Sequence, residues 1–185
     1  MKKQPLIVNF FGAPGAGKST MAAAVFAKLK LKGISCELVD EYVKGAVWEK
    51  RTKIIHNQLY LLSKQYQKLA RIDENVDIII TDSPIMLNIF YNRLNAPEHN
   101  FDEKVFNPMV LECHNKFKNL NFFVKRNFEY ELIGRVQTED EADKIEKKLI
   151  EINKDYNIKC IDVASYEETA TVIANKLAKI LKKKK

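Results

Sequence analysis

The sequence predicts an α/β fold of three layers, a parallel sheet with helices on both faces, and three observations predict it. Five short runs rich in β-branched and aromatic residues lie at 6–11, 34–39, 76–81, 120–124 and 158–163. They are apolar almost throughout, without the alternation of a half-exposed strand, so each is expected to be buried on both faces, as in a parallel sheet. The stretches between them are longer and carry helical periodicity, which gives the βαβα alternation of such a fold. A chain of 185 residues that is 46% hydrophobic is long enough to bury a core, and residues 1–185 read as one domain.

Taken in order, the first strand leads into a helix over 17–31 that carries Met21, Ala24, Val25, Ala27 and Leu29 and stops at Gly33. After the second strand, 44–73 mixes polar and apolar residues over a length that suits two helices or one bent one. Further helices are expected over 84–93, 102–118, 139–156 and 166–182. Thr138-Glu139-Asp140-Glu141 supplies a capped start for the third of these. The helix over 102–118 has two available partners, its own sheet or a second subunit, so a dimer stays open. The stretch 92–107 reads as a loop and 182–185 as a solvated lysine tail.

Bulk properties exclude several classes. The net charge of +7 suits an anionic partner: a nucleotide, a polynucleotide or an acidic surface. Cys36, Cys113 and Cys160 are too scattered for structural zinc or a disulfide framework and suit a reducing compartment. The basic start followed by an apolar stretch is interrupted by glycines, Pro14 and Lys18 before it reaches secretory or membrane length, so a cytoplasmic protein without membrane contact is expected. His56, His99 and His114 are isolated, with no paired acid or ligand, and read as structural or surface residues.

The most informative segment is Gly12-Ala13-Pro14-Gly15-Ala16-Gly17-Lys18-Ser19-Thr20. It fits Gly-x-x-x-x-Gly-Lys-Ser, the P-loop, in the required context of strand, loop and helix. Its glycines let the backbone approach phosphate oxygens, and its amides form an anion nest at a helix N-terminus. Lys18 is placed to bridge β- and γ-phosphates, Ser19 to ligate Mg²⁺ and Thr20 to reach the α-phosphate of a nucleoside triphosphate. Asp82 ends the third apolar run and is the second expected metal residue, a Walker-B-like acid, while Asp77 falls at the opposite end of that strand.

Two further groups point toward transfer of the terminal phosphoryl group. Asp40 and Glu41 end the second strand, at the edge of an α/β sheet where ligand sites gather. Either can take the proton of an acceptor hydroxyl, or else cap the next helix. After the fourth strand, Arg126 and Arg135 lie in a basic, glycine-containing segment over about 126–138 that suits a short lid closing on the phosphates; the bland alternative pairs them with Glu129, Glu131 or Glu139. Trp48, Tyr60, Tyr66, Phe90 and Tyr91 lie at helical spacing, which favours core positions over a base-stacking shelf.

Phe11 to Thr20, Glu41-Tyr42, Asn57-Gln58, Asp82-Ser83-Pro84 and the run from Gly134 to Thr138 together resemble the small P-loop kinases of nucleoside and nucleotide metabolism. More narrowly they resemble phage-type kinase-like proteins related to the ribosylnicotinamide kinase domain, often described as AAA-like ATPases. The resemblance implies a five-stranded parallel sheet of order 2-3-1-4-5, a lid after strand four, ATP as donor, and an acceptor cleft lined by the segment after strand two. It also implies Glu41 as general base, with Tyr42 and Gln58 on the acceptor side. Ser83-Pro84 stands where that family often carries an arginine. The function expected is a Mg-ATP-dependent phosphotransferase acting on a hydroxyl or phosphate of a nucleoside, nucleotide or related ribosyl compound. The alternatives are a kinase of nucleic-acid ends or modified bases in DNA, and a nucleotide-switched ATPase.

Overall fold

In the computed structural model, residues 4–94, 97–127 and 138–182 are described. Five strands, β1 (Leu6–Phe11), β2 (Cys36–Val39), β3 (Ile78–Thr81), β4 (Lys118–Lys125) and β5 (Cys160–Ala164), form one parallel sheet in the order β2-β3-β1-β4-β5. The order is the one that the resemblance implied.

The strands are buried on both faces, for the reason their composition gave. Val8, Phe10, Ile78, Ile80 and Phe122 turn toward α1 (Lys18–Leu31) and α8 (Glu167–Lys182), where Met21, Val25, Leu29, Ile173 and Leu177 complete the layer. Ile7, Phe11, Ile79 and Phe123 face the opposite helices. Phe10 and Phe122 stack with ring centroids 5.5 Å apart, and each buried ring contributes about 1.5–3 kcal/mol. One polar ladder interrupts this apolar sheet. Asn9 Nδ2 donates to Asn119 Oδ1 and Asn121 Oδ1, both at 2.9 Å, and Asn121 Nδ2 donates to the Lys159 carbonyl at 3.2 Å. An amide left unpaired there would cost about 1–3 kcal/mol, so the ladder favours one register between β1, β4 and β5.

The segment over 44–73 departs most from its sequence reading. It forms three helices, α2 (Tyr42–Trp48), α3 (Thr52–Ile55) and α4 (Gln58–Ala70). Lys50 breaks the first at φ 56, a left-handed backbone, and Asn57 starts the last by accepting a hydrogen bond from the Tyr60 amide at 3.0 Å. Downstream come α5 (Leu87–Leu94), a 3₁₀ turn (Pro97–His99), α6 (Glu103–Asn115) and α7 (Glu139–Asp155). The stretch read as a loop is therefore partly ordered. Buried Asn92 clamps it, donating to the Phe101 carbonyl at 3.0 Å and accepting from the Phe101 amide at 2.9 Å. Phe106 and Val110 of α6 are buried in the chain's own core. The capping box at Thr138 and Glu141 forms as its sequence predicts. Arg135 and most of the expected lid lie outside the described residues, as do the last three lysines of the tail.

Candidate active site

The carboxyl ends of β1, β2, β3 and β4 converge on one edge, and pairing register decides what meets there. Asn9 of β1 and Val39 of β2 both pair with Thr81 of β3. Asp82 thus leaves β3 beside Asp40 and Glu41 leaving β2, with the loop 12–17 just beyond β1.

That loop has the backbone an anion site needs. Gly12, Gly15 and Gly17 have φ of 147, 80 and 86, and Gly17 enters α1 with no side-chain cap and no acidic residue in the first turn. The amides at the start of α1 are therefore left to a ligand, with the dipole favouring negative charge. Gly12 is the tightest position: a Cβ there would lie 2.6 Å from the Val124 carbonyl oxygen of β4. Lys18 Nζ donates to the Ala13 carbonyl at 2.9 Å, which folds the ammonium back over the loop. Pro14 is half-buried, Ala13 and Ala16 are buried, and Ser19 and Thr20 are exposed at the outer start of α1.

Asp82 is 8% exposed, yet its Oδ1 has no hydrogen-bond partner among the described residues. A buried carboxylate oxygen without a donor is costly unless a cation completes it. The orphaned Asp82 oxygen suits a cation as its partner, the role that the sequence leads one to expect of Asp82 together with Ser19. No group of three or more His, Cys, Asp or Glu side chains gathers among the described residues.

The two acids after β2 go different ways. Asp40 is turned out, its side chain 82% exposed and paired with Lys68 Nζ at 2.7 Å. Glu41 is turned in. Burial holds its carboxyl above the usual carboxylate range; the Lys18 ammonium pulls it back and Asp82 pushes it further up. Glu41, Tyr42 and Gln58 line one small cleft with Gln65, Ser83, Asn88 and Tyr91, enclosing about 30 Å³ of free space. Burial and the Glu41 charge together push the Tyr91 phenol up. Gln58 is buried and donates from Nε2 to the Ile55 carbonyl at 3.0 Å.

Gln65, and the grouping of Tyr60 and Arg51 with Tyr42, were not singled out by the sequence. Gln65, 4% exposed, donates from Nε2 to Thr81 Oγ1 at 3.1 Å and to the Ser83 carbonyl at 2.6 Å, so it ties α4 to both sides of Asp82. The available signal was two glutamines, Gln58 and Gln65, two turns apart on the face that buries Leu61, Leu62 and Leu69. Tyr60 and Arg51 join Tyr42 in a cluster: the two phenol oxygens lie 2.8 Å apart, and Arg51 Nη1 donates to Tyr42 Oη at 3.3 Å. On the lid side, Arg126 follows β4 and pairs with Asp143 and Glu139 of α7. The contact with Glu139 is the bland pairing expected for Arg126, and Asp143 adds a second carboxylate to it.

Among the aromatic candidates, Phe90 is core and Tyr66 packs against Phe117, whereas Trp48 is 66% exposed. His114 is buried and held neutral, its pKa lowered to about 4, while His56 and His99 stack with centroids 5.1 Å apart. Burial raises all three thiols, Cys160 to about 12, so none is poised as a nucleophile. Among the described residues no helix is long and apolar enough to cross a membrane.

Comparison with known proteins agrees with this geometry. The chain matches the family model of an AAA domain, AAA_28, over residues 7–169. A curated relative, the "Probable thymidylate kinase" of Sulfurisphaera tokodaii, is 23% identical across 90% of this chain and 92% of its own length. Among solved structures, a NadR protein in complex with NR superposes with a TM-score of 0.68 at 14% identity over 92% of this chain; the chain spans half the length of that protein. A deoxyadenosine kinase from M. mycoides superposes with a TM-score of 0.58 at 19% identity, covering 94% of this chain and 99% of its own. The shared architecture is that of the small P-loop nucleotide kinases.

Proposed function

The chain belongs to the AAA_28 family of AAA domains, and on that premise we propose that it is a Mg-ATP-dependent phosphotransferase whose acceptor is a nucleoside, a nucleotide or a related ribosyl compound. One observation carries the reading. Glu41 lies close enough to Lys18 and Asp82 for both charges to act on it, and it also lines a cleft distinct from the phosphate loop. A nucleotide switch needs the loop and the metal residues; it has no use for a half-buried carboxylate facing a second cleft. Relatives named as thymidylate and deoxyadenosine kinases support the same reaction class.

In this reading the amides of 12–17 and the start of α1 would hold the triphosphate, Lys18 would draw the β- and γ-phosphates together, and Ser19 and Asp82 would hold Mg²⁺. The bound metal would supply charge neutralisation on the phosphate oxygens. Glu41, and not the outward-facing Asp40, accepts the proton of the acceptor hydroxyl as its oxygen bonds to the γ-phosphorus and the bond to the β-phosphate oxygen breaks. Its raised pKa keeps it closer to the operating pH than an ordinary carboxylate, which favours general-base work. Gln58 and Tyr42 orient the acceptor, and Gln65 holds the backbone on both sides of Asp82. Arg126, with Arg135 from the lid segment, would screen the transferring phosphoryl once released from α7.

The test is transfer of label from γ-labelled ATP to a panel of nucleosides, nucleotides and DNA oligomers, with Lys18→Ala as the matched inactive protein. Label should appear in an acceptor and vanish with Lys18→Ala while the fold survives by circular dichroism. ATP hydrolysis with no labelled acceptor anywhere in the panel overturns the phosphotransfer reading.

A further inference from the structure

Beside the cleft, α2, α3 and α4 build a cluster of charge that phosphoryl transfer itself does not use. The Tyr42 and Tyr60 hydroxyls are 2.8 Å apart, and Arg51 Nη1 reaches Tyr42 Oη at 3.3 Å. The Arg51 guanidinium lies 5.9 Å and the Lys68 ammonium 5.8 Å from the Tyr42 ring centroid, and Lys64 lies 5.5 Å from that of Tyr60. Three cations therefore crowd two phenols. Their carboxylate partners are few and wet: Arg51 pairs with Glu49, 60% exposed, Lys68 pairs with Asp40, 82% exposed, and Lys64 makes no ion pair among the described residues. Between Asp40 and Ala70 cations outnumber carboxylates two to one.

The phenol pair adds polarity to the charge. Arg51 donates to Tyr42 Oη at 3.3 Å, and the two hydroxyls share one hydrogen bond at 2.8 Å in which either can be the donor. Whichever hydroxyl donates within the pair, the other keeps its O–H for a further acceptor, and Tyr42 is also a wall of the Glu41 cleft. A phenol donor, a guanidinium fork and the Lys64 ammonium on one short surface match the three oxygens of a phosphomonoester dianion.

We propose that the acceptor carries a phosphomonoester seated on Tyr42, Arg51 and Lys64, and that it is phosphorylated at a separate hydroxyl beside Glu41. The substrate class is then a small phosphorylated sugar compound such as a nucleoside monophosphate, and the product bears two separately attached phosphate groups. The inference rests on the phosphotransferase reading, and deepens it by distinguishing charged from neutral acceptors. An incoming dianion would replace the exposed Glu49 as the partner of Arg51 and occupy Lys64, so the cluster gains a full counter-charge.

The experiment compares adenosine, guanosine, cytidine, uridine and thymidine with their 5′-monophosphates, ribose 5-phosphate and a 5′-phosphorylated DNA oligomer as acceptors of γ-label. Wild type, Arg51→Gln, Lys64→Gln and a distant control, Lys28→Gln, are run alongside. Binding of the same compounds in the presence of a non-hydrolysable ATP analogue is followed through Trp48, the only tryptophan, which lies on α2 with Tyr42. Monophosphates should exceed nucleosides at least tenfold in kcat/KM through KM, label should sit on a hydroxyl, and Arg51→Gln should collapse the ratio while Lys28→Gln keeps it. Nucleosides transferring equally well, or a ratio unmoved by Arg51→Gln, overturn the inference and leave the kinase reading standing. Label found on the acceptor's existing phosphate overturns the placement, and transfer confined to the oligomer overturns the small-molecule class. If nothing is phosphorylated, the kinase reading falls and binding decides: tenfold tighter monophosphate binding lost in Arg51→Gln sustains the anion site, and equal binding removes it.

Discussion

Substitution of Gly12 by alanine combines two penalties that can be separated using other glycines of the same chain. The added Cβ would meet the Val124 carbonyl oxygen at 2.6 Å and Ala16 Cβ at 3.3 Å, and the oxygen belongs to a sheet backbone that cannot turn aside. Overpacking of this kind costs about 1–3 kcal/mol. The backbone itself, at φ 147, adds about 1–3 kcal/mol for a residue with a side chain. Together they give about 2–6 kcal/mol, a fall in Tm on the order of 10 °C for a chain of this length. Gly33→Ala isolates the backbone penalty, since φ is 69 and nothing lies within 4 Å. Gly45→Ala carries neither: it sits in α2 with open space around it and should stabilise by about 0.5–1 kcal/mol. Urea unfolding followed by far-ultraviolet circular dichroism is the suitable assay, because exposed Trp48 reports folding poorly. Alongside it, nucleotide affinity should fall only in Gly12→Ala. A Gly12 variant no less stable than the Gly33 variant would refute the clash with β4, and one that binds ATP normally would refute the claim that this approach shapes the phosphate cradle.

Three other perturbations address the rest of the site. Because the folded protein raises the Glu41 pKa, its ionised form costs stability: the loss is absent below about pH 4.3, the ordinary value, and complete above the folded one. Glu41→Gln should therefore melt higher than wild type at pH 8 and no higher at pH 4, while transfer drops about 10²–10⁴-fold; a lower melting temperature at pH 8 contradicts the buried carboxylate. Asp82→Asn should weaken the Mg²⁺-dependent part of ATP binding about 10–100-fold and leave binding in EDTA unchanged. An undiminished Mg²⁺ effect in calorimetry would remove Asp82 from the metal site. Gln65→Leu strips a hydrogen-bond donor from Thr81 Oγ1 and the Ser83 carbonyl and should cost about 1–3 kcal/mol in denaturant, with acceptor KM raised and ATP affinity retained.

The sequence made legible whatever depends on local pattern. Apolar runs at both faces of the sheet, the glycine spacing before Lys18, and Thr138 capping against Glu141 were all readable, because each is set by neighbours a few residues away. Harder to read was anything decided across the chain. Asp40 and Glu41 are adjacent and chemically alike, and only the placement of Lys68 on α4 sends one outward while burial keeps the other in. Arg126 looks equally suited to a phosphate or to α7, and Asp143 settles its position in this structure. Asn9 sits in an apolar run with no local sign that Asn119 and Asn121 will satisfy it. The break at Lys50 came from a left-handed residue that is not a glycine, which no spacing rule flags.

The central place of β1 has a consequence for how the protein comes to exist. Its neighbours in the sheet, β3 and β4, are made long after it, so the first apolar strand leaves the ribosome with both edges bare. At about 5–20 residues per second the wait for β4 is roughly 6–24 s, long enough for chaperone capture or pairing with the wrong strand. Val124 of β4 packs against Gly12, so one wall of the phosphate loop arrives only with that late strand. A nascent chain halted before β4 should carry the whole motif and still be blind to ATP, whereas the finished chain has in ATP a ligand that rewards only the completed sheet.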